Sequence, residues 1–499
     1  MRARALKLNA ITNLISEIIS LISGLILPRL ILTTFGSTTN GLVNSIAQFL
    51  SFSVVLRAGV GAVIRTALYK PLANNDDDQI SSIMVATQAY MRKVALIVAA
   101  CVFAFAVVYP FLVADEYEWL YAFAMVLALG ITVFAENFFG ISNIILLQAD
   151  QKYYITTVAM IIMQILSCVT SIVLLNCGFD MLVVKLGASI VFLAKPAFLE
   201  WYIRRNYHID KKALPDNLAI KQRWDAFAQQ LAIIINGNIS IVLITTFTSL
   251  TSVSVYTVHS MIVSNIAKIA KAPLAGINSA FGSMLAKKET KVLHEAFSFI
   301  EWGSFAMCTV LYAVTAVMIT PFVDVYTRSI VDVNYHQPIF GFLLVLVNLL
   351  NCLRIPYQMV TEAAGHFKQT RNGAILEVVI NIVVSVVLLK QMGITGVVIG
   401  SLIACLIRTL QYSWYAAKNV LQIPTWRVYK NYVVYLLTFF ICVTTSDWFV
   451  LTEIRSYYLW IINAVKSTVL TTAIVVLISL VFNFGDVQYL WKRIQAKRS

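Results

Sequence analysis

Charge is the scarcest property of this 499-residue sequence: Asp, Glu, Lys and Arg together supply 12% of it. Soluble globular chains carry roughly 25%. Half that supply cannot coat a body in water, which excludes an ordinary soluble domain and predicts a chain whose solvent is a bilayer. The seven cysteines (101, 168, 177, 308, 352, 405 and 442) lie far apart, without the close spacing of a zinc or redox site. They read as small apolar packing residues. The five histidines are scattered without ligand spacing. No phosphate-binding P-loop is present, which excludes ATP hydrolysis by this chain. Asn74-Asn-Asp-Asp-Asp78 is the nearest approach to a metal-ligand run, and it reads as the solvated N-terminus of a helix. No catalytic residue, metal or cofactor is expected.

What the sequence has is apolar length, with 59% hydrophobic residues and a mean hydropathy of +0.80. A spanning helix needs about 20 apolar residues, because the hydrocarbon is about 30 Å thick. Fourteen runs qualify: 10–33, 39–64, 93–113, 120–146, 153–176, 181–203, 225–247, 253–285, 298–323, 338–363, 373–391, 394–417, 432–451 and 460–482. The first follows Arg2, Arg4 and Lys7, contains Glu17, and ends at Pro28-Arg29 without a small-residue cleavage site. It is expected to stay as helix 1 rather than leave as a signal peptide.

Lysine and arginine set the orientation. With the N-terminus inside, and with the span-end residues Lys93 and Lys390 counted with their adjoining segments, 26 of the 38 fall in inner segments, three (Arg328, Lys390, Arg455) in outer ones, and nine within spans. One missed span would invert every segment after it. The expected topology is therefore N-in and C-in, with the basic loops against the anionic inner leaflet. A net charge of +14 then needs no nucleic acid to explain it.

The chain repeats itself at an offset of about 212–215. Leu32-Thr-Thr-Phe-Gly-Ser-Thr38 matches Ile244-Thr-Thr-Phe-Thr-Ser-Leu250, Ser171-Ile-Val-Leu-Leu175 matches Ser385-Val-Val-Leu-Leu389, and Gly178 matches Gly393. Asn13, Glu17, Ser20, Gly24 and Pro28 share one helix face, and Asp225, Gln229, Ala232, Asn236 and Ser240 step identically. A polar stripe on a spanning helix faces protein or a water-filled cavity. The expected organisation is an N-lobe of six helices (1–203), a basic linker (204–224), a C-lobe of six (225–417), and two further helices with a tail (418–499). Six helices per repeat make the two lobes parallel, which suits an alternating-access transporter with its substrate between the lobes.

Several segments resemble the polysaccharide transporters (Wzx-type flippases) of the multidrug/oligosaccharidyl-lipid/polysaccharide exporter superfamily. They are Leu27-Pro-Arg-Leu-Ile-Leu-Thr-Thr-Phe-Gly36, Asn40-Gly-Leu-Val-Asn-Ser-Ile46, Gly59-Val-Gly-Ala-Val-Ile-Arg65, Leu68-Tyr-Lys-Pro-Leu-Ala73 and Leu146-Leu-Gln-Ala-Asp-Gln-Lys152. Ser279-Ala-Phe-Gly-Ser-Met-Leu-Ala286 in the second lobe is similar but looser. The resemblance implies a multi-pass protein of the cytoplasmic (inner) membrane. It implies a cargo too: an oligosaccharide on undecaprenyl pyrophosphate, flipped from the cytoplasmic to the outer leaflet. Expected partners are that cargo, membrane lipids and a proton or sodium gradient.

A pyrophosphate moving through a low-dielectric path needs cations to replace its hydration. Arg57, Lys268, Lys271 and Arg29 are the candidates; each also has a plainer reading, Arg57 as partner of Glu17 and the others as side chains reaching an interface. Glu17 and Glu136 are the candidate coupling carboxylates. Arg354 and Arg408 are expected to be structural, paired with Glu362 or Glu377. Two other transport readings remain open: a lipid II flippase and a drug/cation antiporter of the same superfamily. A membrane polysaccharide polymerase is the alternative from another class, disfavoured because the longest outer loop, about 324–337, is short.

Overall fold

A computed structural model describes residues 2–53, 60–210, 212–214, 224–274, 277–449 and 454–482. Among them every regular element is helical. The protein is an all-α, multi-pass membrane protein, and it divides into two compact units, Met1–Ser254 and Val255–Ser499.

The first unit opens with α1 (Arg2–Ser51). Fifty residues of helix would run about 75 Å, far more than a bilayer's thickness. The chain solves this at Gly36, whose φ of 81° and ψ of −178° break the helix where the outer turn was expected. That backbone conformation disfavours any residue with a Cβ. Next come α2 (Val60–Asn74), α3 (Asp77–Leu112), α4 (Trp119–Ala135), a π-helical turn (Glu136–Gly140), α5 (Ile141–Ala149), α6 (Tyr153–Asn176), α7 (Met181–Asn206), α8 (Trp224–Phe247) and the start of α9 (Leu250–Lys271). Asp76 caps α3, its carboxylate accepting from the Gln79 amide at 3.0 Å. The Asn74–Asp78 run is thus a helix start, with Asp77 and Asp78 favourably placed in the first turn.

Two apolar cores hold this unit. One gathers Leu42, Ile46, Val98, Tyr109 and Met125; the other gathers Ile64, Leu68, Met84, Leu146 and Leu199. Past the end of α7, Tyr207 donates to Asp150 at 2.5 Å, and Lys152 sits 2.7 Å from the same carboxylate. Burial, and next the Asp150 carboxylate, push the Tyr207 phenol up, so it remains a donor.

The second unit continues α9 and adds α10 (Ile277–Ala286), α11 (Thr290–Tyr326), α12 (Pro338–Ala363), α13 (Phe367–Met392), α14 (Ile394–Ala416), a π-helical turn (Ala417–Leu421), α15 (Thr425–Phe449) and α16 (Tyr457–Phe482). Helices α13 and α14 pack through small residues: a Cβ on Gly396 would strike the Leu389 nitrogen at 2.8 Å, and one on Gly400 would strike the Ser385 nitrogen at 2.7 Å. Close backbone approach of this kind is how helices associate in lipid. Gly178 and Gly393 both adopt positive φ, 77° and 57°, at the tight turns after α6 and α13.

Eleven described helices are long and apolar enough to cross a membrane. The figure of fourteen from the sequence is approximate. Segment 8–51 is one of the eleven although Gly36 divides it, and α8 and α9 fall outside the eleven. Four cysteines (308, 352, 405, 442) are buried packing residues, whereas Cys101 and Cys177 are exposed.

Candidate functional site

In the first unit, polar side chains line up along the second half of α1 where α8 and α9 meet it. Asn40 donates to Ser254 at 2.7 Å, and Ser45 bonds Thr245 at 2.9 Å. Further along, Gln48 and Ser51 both donate to the side-chain oxygen of Asn238, the latter at 3.0 Å. Asn40, Ser45 and Ser254 are all buried. Gly41 lets the chains close on one another, since a Cβ there would collide with the Leu250 carbonyl. The Leu250 amide, an unpaired helix-start donor, is taken up by the Glu116 carboxylate at 2.8 Å. Nothing in the sequence marks Glu116 for this role; a remote cap leaves no local spacing signal.

The seam leads to a small cavity of about 180 Å³, lined by Ser51, Ser53, Glu136 and Asn137 among others. Glu136 begins the π-helical turn that ends α4. Such turns reorient side chains and occur often at functional sites. Its carboxylate is 3.1 Å from the Lys195 ammonium, whose side chain is 11% exposed. Asn137 is buried, its amide donates to the Val133 carbonyl at 2.7 Å, and its side-chain oxygen has no partner. A carboxylate, an unsatisfied amide oxygen and two hydroxyls thus border one cavity.

In the second unit the buried charge is a triad. Arg354 lies 3.0 Å from Glu377, and Arg408 lies 3.8 Å from its other oxygen. Arg354 also donates to Asn351, and Arg408 to the Thr370 carbonyl at 3.0 Å while stacking 4.5 Å from the Tyr412 ring centre. Of the two partners the sequence left open, Glu377 is the one used; Glu362 accepts from Gln358 instead. A second buried carboxylate, Glu301, accepts from the Tyr357 hydroxyl. The sequence reading did not single it out.

The expected transport residues are distributed as follows. Arg57 lies outside the described residues, and with it the expected pairing to Glu17 and the convergence with Lys268 and Lys271. Lys268 and Lys271 occupy the last turn of α9, both exposed, where positive charge complements the helix dipole. Arg29 is half-buried one residue after Pro28. Glu17 is exposed on α1. Lower on the same face, Asn13 accepts from Thr157 at 3.3 Å, and Asn9 accepts from the Tyr154 amide at 2.6 Å, capping α6. Part of the polar stripe therefore packs on α6.

No family model matches the sequence, and no curated protein matches it. The fold does match solved structures. The lipid II flippase MurJ in an inward closed conformation superposes with a TM-score of 0.70, at 13% identity, over 96% of this chain and 99% of that one. An inward-facing multidrug resistance MATE family transporter of the MOP superfamily gives 0.57 at 15% identity, over 82% and 98%. A MOP superfamily transporter from Pyrococcus furiosus, described as having a binding pocket of reverse polarity, gives 0.56 at 12% identity, over 83% and 96%. At such identities the likeness is one of fold, and this chain has the fold these transporters share.

Proposed function

We propose that the protein moves a polyprenyl-pyrophosphate-linked saccharide from the cytoplasmic to the outer leaflet by alternating access. The observation that carries this reading is the extent of the structural match. The lipid II flippase spans 96% of this chain, the MATE transporter only 82%. The argument is an analogy at the level of fold.

The finer reading takes the cargo to be an undecaprenyl-pyrophosphate oligosaccharide for surface polysaccharide synthesis, as the resemblance of 27–36, 40–46, 59–65 and 146–152 suggests. Lipid II is the second reading, favoured by the flippase whose fold this chain shares. In this scheme the repeats 1–203 and 225–417 are the moving lobes. Arg57, Lys268, Lys271 and Arg29 serve as cationic partners of the pyrophosphate, and Glu17 and Glu136 as coupling carboxylates. The α1–α8 seam is the outer seal. Its few hydrogen bonds contribute on the order of 1 kcal/mol net each, so it can open and reclose.

Depletion of the protein in its native cell tests the reading. Loss of surface glycan, with lipid-linked oligosaccharide accumulating on the cytoplasmic leaflet, is expected. Accumulation of lipid II with lysis would move the assignment to the second reading. Altered resistance to cationic drugs, with both lipid-linked pools unchanged, would overturn both. Within the reading, Arg57→Ala/Lys268→Ala/Lys271→Ala should abolish export at matched abundance, and Lys466→Ala, exposed on α16 outside the two repeats, should not.

A further inference from the structure

One groove of the first unit plays no part in that scheme. It encloses about 620 Å³ between α3, the π-helical turn, α5 and α7. Its origin is local. The π turn displaces α4 from its straight course, Pro196 removes a backbone donor from α7, and Ala135, Ser142 and Ala197 leave the bed shallow. Phe139 and Trp201 stand on its rim, each 53% exposed, so the groove opens outward from the helical bundle.

Its polarity runs along its length. Arg92, Gln88, Glu200 and Arg204 lie toward the end where α7 leaves the membrane. Charge asymmetry makes that the cytoplasmic end. Leu193 lies at the other end, eleven residues back along α7, which is about 16 Å of helix. That is about half the hydrocarbon thickness, the depth of one leaflet. The charges do not cancel. Glu200 is taken by Arg204 at 2.8 Å and by Asn143 at 3.1 Å. Arg92 has no carboxylate partner among the described residues; its guanidinium lies 5.9 Å from the Phe138 ring centre. One uncompensated cation with planar donors therefore stands over an apolar trough one leaflet deep.

We propose that this groove holds an anionic phospholipid of the cytoplasmic leaflet. The phosphate sits against Arg92, with the Gln88 amide one turn away on the same helix face, and an acyl chain lies along Phe139, Ala197 and Leu193. A singly charged phosphodiester matches the surplus of one positive charge, and a guanidinium suits its paired oxygens. Trp201 sits at headgroup depth, where tryptophan is favoured. The occupant is a resident lipid and not the transported cargo, because the groove belongs to the outside of one unit.

Native mass spectrometry tests the assignment on full-length protein released from vesicles of equal phosphatidylglycerol and phosphatidylethanolamine. Wild type should retain phosphatidylglycerol preferentially. Arg92→Ala should lower that retention at least fivefold. Ala197→Phe, which fills the trough without touching charge, should lower it similarly, and Lys291→Ala should leave it unchanged. Arg92 and Ala197 are exposed, so both variants keep the packed core, and an unchanged melting temperature in lipid-free detergent checks this. Wild type carrying no phospholipid, equal retention of the zwitterionic lipid, or undiminished retention by Arg92→Ala would each overturn the proposal. Displacement of the phospholipid by equimolar short-chain polyprenyl pyrophosphate would overturn it as well, by making the groove a cargo subsite.

Discussion

Glu377 is the position where charge arithmetic makes the sharpest prediction. Its carboxylate faces two guanidinium groups, at 3.0 Å and 3.8 Å, with side-chain exposures of 8% for Glu377, 13% for Arg354 and 7% for Arg408. At an effective dielectric constant of about 20 the attractions are roughly 5 and 4 kcal/mol, before the cost of desolvating three ions. Glu377→Gln keeps the shape and removes the negative charge. It turns a cluster of net +1 into one of +2 with no counter-ion in contact. Leaving a buried charge unpaired costs about 3–5 kcal/mol. For a unit of this size that corresponds to a melting temperature lower by roughly 6–20 °C. Arg354→Met does the opposite. It leaves Glu377 with Arg408, a neutral pair, and should cost no more than about 1–3 kcal/mol. Replacing all three by apolar residues (Arg354→Met/Glu377→Leu/Arg408→Leu) should restore most of the stability, because the desolvation cost disappears with the charges. Thermal unfolding in nanodiscs, scored by tryptophan fluorescence, measures all three. Equal losses in Glu377→Gln and Arg354→Met would refute the charge balance, and so would a triple variant less stable than Glu377→Gln.

Other expectations follow from single positions. Gly41→Val should lower the melting temperature by an amount equivalent to about 1–3 kcal/mol, because its side chain meets the Leu250 backbone, while Gly24→Ala, with nothing within 4 Å of the added carbon, should be neutral or slightly stabilising. A melting temperature unaffected by Gly41→Val would mean the seam is looser than described. In a background lacking the exposed Cys101 and Cys177, Val333→Cys should react with an impermeant thiol reagent in intact cells and Lys291→Cys should not; labelling at 291 alone would reverse the orientation. Glu17→Gln should slow transport at unchanged abundance and flatten its response to a proton or sodium gradient. Reconstituted vesicles measure that response, and an undiminished gradient dependence would make Glu17 structural.

That the chain lives in a membrane, and where most of its helices run, could be read from residue order alone. Apolar length and helical rise are local quantities, readable without knowing any neighbour. Gly178 and Gly393 were legible as a matched pair for the same reason: each stands between apolar runs, and each adopts a positive φ that favours glycine. The Asn74–Asp78 helix start was also legible, because a cap acts within four residues. Pairings across long separations were not. Arg354 had two carboxylates within reach of a sequence argument, and only the packing of α12, α13 and α14 selects Glu377. Lys195 as the partner of Glu136, and Glu116 as the cap of α9, span 59 and 134 residues and leave no periodic trace. The π-helical turn at Glu136 is silent in composition too, since one extra residue in a turn changes no side chain. It nevertheless decides which side of α4 faces the small polar cavity and which faces the phospholipid-sized groove. Hydrophobicity fixes how much of a chain enters a bilayer; which charges meet once inside is fixed by how the helices pack.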